Sequence, residues 1–146
     1  MPEQYTLPIH VVHLGEGGYH IFCEVHIEGH SVNALIDTGA NKSVLTAQLA
    51  AKLEGIEEYE LDDNHTSGIG KEAVETSFVV LDKMLLDQIE IEQQIMGLID
   101  LKHVREMYHE MDIEPFEMII GGDILVACNA VIDYGNATMA VERGNG

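Results

Sequence analysis

The fold is decided by the segment Ala34-Leu35-Ile36-Asp37-Thr38-Gly39-Ala40, in which a predicted apolar strand ends at a carboxylate, Asp37. Burying a carboxylate is costly unless its charge is hydrogen-bonded or shared, so Asp37 needs a dedicated environment. Thr38 supplies a hydroxyl group for a hydrogen bond, and Gly39 permits a turn with close backbone approach. Asp37 is therefore the candidate reactive group. The structural alternative is a carboxylate that only accepts backbone hydrogen bonds at a strand end.

The residues around this segment predict short strands. Residues 19–27 alternate between apolar and polar side chains, which is typical of a half-buried strand. Residues 32–36 form the strand that leads into the motif, and residues 43–45 predict another short extended segment. Thr46 is a suitable N-cap for a helix that ends near Gly55.

The C-terminal half continues the β pattern, with one helical exception. From Lys102 the apolar period becomes helical, and Asp100 can cap this helix. The apolar face of the helix, which we expect to pack, contains Val104, Met107, Tyr108 and Met111. Extended segments are predicted at residues 78–80, 89–92, 94–99, 118–120, 130–133 and 138–141. The fold class is therefore mainly β with short helices.

Three further segments are predicted to be irregular. Between Glu54 and Asp63, six of ten residues are acidic and no period is visible, which indicates a solvated loop. Gly68-Ile69-Gly70 lies in a glycine-rich turn at the tip of a predicted hairpin arm. We expect a disordered tail at about residues 143–146.

The composition restricts the classes of function. The 146 residues include 26 acidic and 7 basic side chains, for a formal net charge of −19. This charge disfavours nucleic acid and anionic membrane surfaces as partners. The length suits a single domain over residues 1–146, and no apolar run is long enough to span a membrane. Cys23 and Cys128 are expected to be buried and no secretory signal is visible, so we expect a cytoplasmic protein.

A second block, Ile119-Ile120-Gly121-Gly122-Asp123-Ile124-Leu125, follows the first along the chain. Together with Asp37-Thr38-Gly39 and the glycine-rich segment Gly68-Ile69-Gly70, it resembles the retropepsin-like aspartic peptidases over roughly residues 18–141. The resemblance implies the half-barrel fold of these acid proteases, with a helical insertion near residues 97–115.

The resemblance also implies an aspartic endopeptidase. The sequence contains one Asp-Thr-Gly, so a second Asp37 must come from another copy in a homodimer. The two carboxylates would share a proton and activate water to hydrolyse an extended peptide or unfolded protein, without a metal or other cofactor. The other implied roles are support by Thr38 and Gly39, substrate contact by Ala40 and the flap residues Gly68, Ile69 and Gly70, and structural roles for Gly121 and Asp123.

Several interpretations stay open. The viral members pair an acidic residue with an arginine at positions where this chain has Asn41-Lys42 and Gly122. Asp123 is interpreted as the N-cap of a helix from Ile124 to Cys128. The eight histidines are interpreted as surface residues rather than metal ligands. Strands around residues 5–9 and 139–141 are candidates for pairing between the two copies.

Two other functions are compatible with these residues. The first is a dimeric peptide-binding module that keeps the retropepsin fold and cleaves nothing. The second is a latent domain of a longer precursor. Cleavage of unfolded casein that disappears in Asp37→Asn would distinguish a peptidase from the binding module.

The charge predicts that assembly of a homodimer depends on salt and pH. Two copies together carry a formal charge of −38, twice the −19 of one chain. Salt screens this repulsion over a Debye length of about 10 Å at 0.1 M, and acid neutralises carboxylates. We expect dimerisation and activity to rise with ionic strength and with falling pH. Sedimentation velocity measures this, and a dimer indifferent to both variables would contradict the prediction.

Overall fold

The structure, a computed structural model, describes residues 3–54, 56, 58–60, 77–100 and 102–143. Strands make up 52% of it and helices 14%, so the predicted mainly β class is confirmed. The strands are β1 (Gln4–Pro8), β2 (His10–His13), β3 (Tyr19–Ile27), β4 (His30–Ile36), β5 (Val44–Thr46), β6 (Glu58–Glu60), β7 (Ser77–Leu86), β8 (Ile89–Ile99), β9 (Met118–Ile120), β10 (Val131–Asp133) and β11 (Thr138–Glu142). The helices are α1 (Ala47–Ala50), α2 (Lys102–Glu110) and α3 (Gly122–Ala127).

The larger of two sheets folds back on itself and sets the position of Asp37. Its eight strands follow the order β2-β3-β4-β9-β5-β8-β7-β6, and His26 of β3 also pairs with Leu85 of β7. β4 and β9 run parallel, so their carboxyl ends lie at the same edge of the sheet. Asp37, directly after β4, therefore lies beside Gly121, directly after β9.

The smaller sheet joins the two ends of the chain. Its order is β1-β11-β10, so β11 is the central strand with a partner on each side. The expectation that residues 139–141 pair with a second copy is therefore wrong, because both edges of β11 are occupied within one chain. The pairing between β1 and β11 is extended by Arg143 N, which donates a backbone hydrogen bond to Glu3 O (3.0 Å).

Two apolar clusters lie on opposite faces of the central strands. The main core takes the inward face of β3, as the alternation predicted, with Ile21, Cys23, Val25 and Ile27 buried. Phe22, the one apolar residue on the other face of β3, is also buried. It belongs to a second cluster with Leu35, Tyr108 and Phe116.

Helix α1 begins where the sequence predicts and ends earlier. Leu49 N donates to Thr46 Oγ1 (3.1 Å), so the predicted N-cap is confirmed. The helix ends at Ala50 rather than near Gly55. The chain tightens there into shorter turns, in which Lys52 N donates to Leu49 O (2.9 Å). These turns still bury Leu53 in the main core.

Helix α2 confirms the predicted helix of the insertion. Lys102 N donates to Asp100 Oδ1 (3.0 Å), which supports the predicted cap. The expected packing face is only partly correct. Tyr108 is fully buried, whereas Met107 and Met111 are 47% and 40% exposed. Of these three residues only Tyr108 packs into the protein. The side chain of Val104, the fourth member of the predicted face, lies outside the described part of the structure.

The predicted acidic loop contains a strand. Glu58–Glu60 forms β6 and pairs with β7, and the Tyr59 ring stacks on Phe78 at 5.2 Å. The solvated-loop prediction is therefore wrong at residues 58–60, because pairing with β7 outweighs the local charge. The predicted flap tip at residues 68–70 and the last tail residues, 144–146, lie outside the described residues. In the described part of the chain, no helix is long and apolar enough to cross a membrane.

The burial of both cysteines predicts their reactivity. Cys23 and Cys128 are free thiols in the core, as expected. Burial raises the pKa of Cys23 from 9.0 to about 12, and burial also raises the pKa of Cys128. We expect neither thiol to react with Ellman's reagent at about pH 8 until urea unfolds the chain. A native protein that reacts rapidly would contradict this burial.

The raised pKa of Cys23 predicts a loss of stability in alkali. Between pH 9 and 12 the unfolded chain releases the Cys23 proton while the folded chain retains it. The free energy of unfolding should therefore fall as the pH rises through this window. Urea unfolding at several pH values measures the effect. Cys23→Ala serves as the control, in which this part of the dependence should disappear.

Candidate active site

Asp37 lies at the end of β4 with its carboxylate exposed. Its backbone N–H donates to Ile120 O (2.9 Å), so the hydrogen bonding between β4 and β9 continues through Asp37. Gly39 N donates to Asp37 Oδ1 (3.0 Å), and Ala40 N donates to Asp37 O (3.1 Å). The carboxylate is thus held by its own turn while remaining accessible to solvent.

Thr38 and Gly39 form the exposed part of this turn. A Cβ atom on Gly39 would lie 3.4 Å from Asp37 Oδ1, against the oxygen that accepts the Gly39 N–H. The close approach expected of Gly39 is therefore present. Ala40 is half-buried behind the turn, and its carbonyl accepts a hydrogen bond from Gly122 N (2.8 Å).

Ser43 and Asp123 connect the two sequence motifs. Ser43 is fully buried, and its hydroxyl donates to Asp123 Oδ1 (2.7 Å) and accepts from Gly121 N (2.9 Å). Ser43 N donates to Asp123 Oδ2 (3.1 Å), the oxygen that also accepts from Gln94 Nε2 (3.1 Å). One carboxylate and one hydroxyl thus connect β5, β8 and the start of α3.

The interpretation of Asp123 as a helix N-cap is wrong. Gly121 occupies the N-cap position, and Asp123 lies in the first turn of α3. Its carboxylate is directed to Ser43 and Gln94, in addition to a short local bond from Ile124 N (2.9 Å). A negative charge in the first turn of a helix is also favoured by the helix dipole.

Gly121 is required by close packing of two backbones. A Cβ atom at this position would lie 2.8 Å from Ala40 O and 2.9 Å from the carbonyl carbon and oxygen of Lys42. Real Cβ atoms do not come this close to backbone atoms, so no larger residue fits unless one loop moves. At Gly122 the nearest such contact is 3.5 Å, which is ordinary van der Waals separation.

The missing internal ion pair of the viral members is replaced by these contacts. Lys42 is exposed, and its carbonyl packs on Gly121. Gly122 is joined to the first motif through its backbone N–H. In this chain the two motifs are therefore braced by buried hydrogen bonds and by the close backbone contact at Gly121.

Sequence reasoning missed the roles of Ser43 and Gln94. Ser43 and Asp123 are 80 residues apart, so no local period could reveal their contact. The available signal was a small hydroxyl residue shortly after Asp37 and a carboxylate two residues after Gly121. Among the described residues, no group of three His, Cys, Asp or Glu side chains could hold a metal ion.

The comparisons with known proteins agree with this geometry. Residues 23–124 match the profile of a family described as "Aspartyl protease". Because the match spans more than half of the chain, from before Asp37 to Ile124 of the second motif, the chain belongs to the aspartyl protease family. A search of curated protein sequences gives no match.

Solved structures of retropepsin-like proteases share the fold. A retropepsin-like aspartic protease from Rickettsia conorii has a TM-score of 0.55 and 14% identity, and the match covers 98% of this chain and 92% of that one. The EIAV protease complexed with the inhibitor HBY-793 has a TM-score of 0.52 and 23% identity, and the match covers 79% of this chain and 92% of that one. The retroviral protease-like domain of Ddi1 from Leishmania major has a TM-score of 0.55 and 14% identity, and the match covers 86% of this chain and 93% of that one. The predicted retropepsin-like fold is thus confirmed.

The two glycines of the second motif provide a matched pair of substitutions. Gly121→Ala should destabilise the protein by about 1–3 kcal/mol, because the new methyl group overlaps backbone atoms that cannot easily move. Gly122→Ala should be neutral or should stabilise α3 by up to about 1 kcal/mol, because alanine is the better helix former. Urea unfolding measures both. Equal effects of the two substitutions would contradict the close approach at Gly121.

Proposed function

We propose that this protein is an aspartic endopeptidase whose catalytic unit is a homodimer with one Asp37 from each subunit. The observation that carries the proposal is the Asp37 carboxylate, exposed at the end of a buried strand and held by its own turn. The sequence contains this motif once, so the second carboxylate comes from a second copy.

The chemistry follows from two carboxylates that face each other. Two such groups at close range share one proton, because both cannot carry a charge together. The charged carboxylate takes a proton from a water molecule that attacks the scissile carbonyl carbon. The protonated carboxylate donates to the carbonyl oxygen, which gives a tetrahedral diol. The carbon–nitrogen bond then breaks as the carboxyl group that took the water proton passes it to the leaving nitrogen, and the other carboxylate recovers its proton from a hydroxyl group of the diol. Water is the nucleophile, so the mechanism forms no covalent intermediate with the enzyme.

The surface next to Asp37 supports a dimer. Among the described residues, β1 and β10 are the edge strands of the three-stranded sheet, and β1 presents Gln4, Thr6 and Pro8 to solvent. The β10 side is more apolar, with Val126 of α3 and Val131 of β10 exposed by 76% and 59%. It is also continuous with the turn of Asp37 through α3, whose Gly122 binds Ala40 O. We propose that the second copy covers this side.

The proposed substrate is an extended peptide or an unfolded protein. An extended chain can add backbone hydrogen bonds to its binding site, and a flap that closes over it excludes water. Gly68, Ile69 and Gly70 are proposed as the flap tip, and Ala40 as a contact beside the carboxylates. We also propose a cytoplasmic location, which the two free thiols support.

Substitution of Asp37 tests the proposed activity. Unfolded casein is incubated with the wild type, Asp37→Asn and the control Asp87→Asn at about pH 4–7. Asp87 is an exposed residue in the turn between β7 and β8, with a φ of 58° that asparagine also tolerates. Asp37→Asn should lower the cleavage rate by roughly 10²–10⁴-fold, whereas Asp87→Asn should leave it unchanged.

The same samples distinguish the alternative function. Cleavage that persists in Asp37→Asn would contradict the proposed role of this residue. A wild type that binds unfolded casein without cutting it at any pH would instead identify a peptide-binding module with the retropepsin fold.

A further inference from the structure

Asp37 shares a face of the central sheet with Leu35. The backbone stays extended through Asp37, since its N–H continues the pairing with β9. Ala34 and Ile36 lie in the main core and Leu35 lies in the second cluster on the opposite face. The alternation of side chains along a strand places Asp37 on the same face as Leu35. Residues two apart in a strand are about 7 Å apart, so Leu35 lies immediately beside the carboxylate.

The neighbouring strand extends this apolar wall. Ile119 of β9 is in register with Leu35 of β4 and is half-buried on the same face. Its neighbours Met118 and Ile120 belong to the main core on the other face. Leu35 and Ile119 thus form an apolar wall that leads to Asp37.

The helical insertion covers this wall with one aromatic ring. Tyr108 of α2 is fully buried in the second cluster with Leu35. Its ring meets Phe116 edge to face at a centroid distance of 5.4 Å and Phe22 at 6.2 Å. Met107 and Met111 are exposed, so among the α2 and following side chains that the structure describes, Tyr108 is buried in this cluster and Ile113 packs against it.

The ring is fixed from several sides. The Tyr108 hydroxyl forms a short hydrogen bond with His20 Nδ1, and Tyr108 O accepts from Ile113 N (2.9 Å). The end of the insertion is tied to the sheet by Asn33 Nδ2, which donates to Pro115 O (3.2 Å). The hydroxyl bond and the two aromatic contacts hold the Tyr108 ring in the second cluster, and the other two hydrogen bonds hold the chain around it.

We propose that Tyr108 determines the specificity of the cleft by filling the apolar pocket beside Asp37. The inference rests on the proposed peptidase function. In an extended substrate, the side chain next to the scissile bond lies within one residue spacing of the reacting carbonyl. The wall of Leu35 and Ile119 would receive that side chain, and the Tyr108 ring already occupies the space. The cleft therefore accepts a small side chain at this position.

The cut sites in a protein digest test this proposal. Unfolded casein is digested with the wild type and with Tyr108→Ala, Tyr108→Leu, Tyr108→Phe and Met107→Ala, and the residues that flank each cut are read by mass spectrometry. The wild type should cut beside glycine, alanine or serine. Tyr108→Ala and Tyr108→Leu should shift the preference towards leucine and phenylalanine by roughly tenfold or more.

The controls separate the ring from other effects. Tyr108→Phe keeps the ring and loses only the hydroxyl, and Met107→Ala truncates an exposed neighbour on the same helix, so both should keep the wild-type preference. A wild type that cuts with large residues on both sides overturns the proposal without any variant. Unchanged preferences in both Tyr108→Leu and Tyr108→Ala, with folding verified by thermal melts, also overturn it.

A binding measurement keeps this test separate from the test of catalysis. Two non-cleavable peptides with a hydroxyethylene group in place of the scissile bond, flanked by alanines or by phenylalanines, are titrated calorimetrically into the wild type. Tighter binding of the alanine peptide supports the role of Tyr108 even if no protein is cleaved. Equal binding of the two peptides, or tighter binding of the phenylalanine peptide, overturns the role of Tyr108, whereas binding of neither peptide overturns the proposed function on which that role rests.

Discussion

The close contact between two backbone loops is the constraint on which the site depends. The loop after β4 and the loop after β9 meet where Gly121 leaves no room for a side chain against Ala40 and Lys42. The buried Ser43 hydroxyl and the Asp123 carboxylate then join the loops with hydrogen bonds whose partners are all satisfied. A buried polar network of this kind is stabilising only when every hydrogen bond is made. The loss of one member leaves the remaining polar groups buried without hydrogen-bond partners.

The contact between these two loops explains how a charged residue can lie at the end of a buried strand. The loops hold the backbone of Asp37, while its carboxylate is directed away from the core and accepts one N–H from its own turn. In the proposed homodimer, a single chain would present half of a two-carboxylate site, and its net charge of −19 would oppose the approach of the second copy. The apolar side formed by α3 and β10 offers the burial that association would need, while the ring of Tyr108 limits the space beside the carboxylate.

Local patterns in the sequence were sufficient for most of the strands, the Thr46 cap and the helix of the insertion, because each depends on residues a few positions apart. They were insufficient where partners are distant along the chain. The pairing of β11 on both sides, the strand at residues 58–60 and the link from Ser43 to Asp123 each depend on such partners. Periodicity alone also could not show that Tyr108 packs while its methionine neighbours remain exposed.

Mixing of active and inactive subunits tests the two-chain site most directly. Wild type and Asp37→Asn are unfolded and refolded together in varying proportions, at a total concentration that maintains dimers, and casein cleavage is measured. If each site needs an Asp37 from both chains, activity falls with the square of the wild-type fraction, to about one quarter in an equal mixture. A linear fall, to about one half, would show that one chain suffices and would contradict the account.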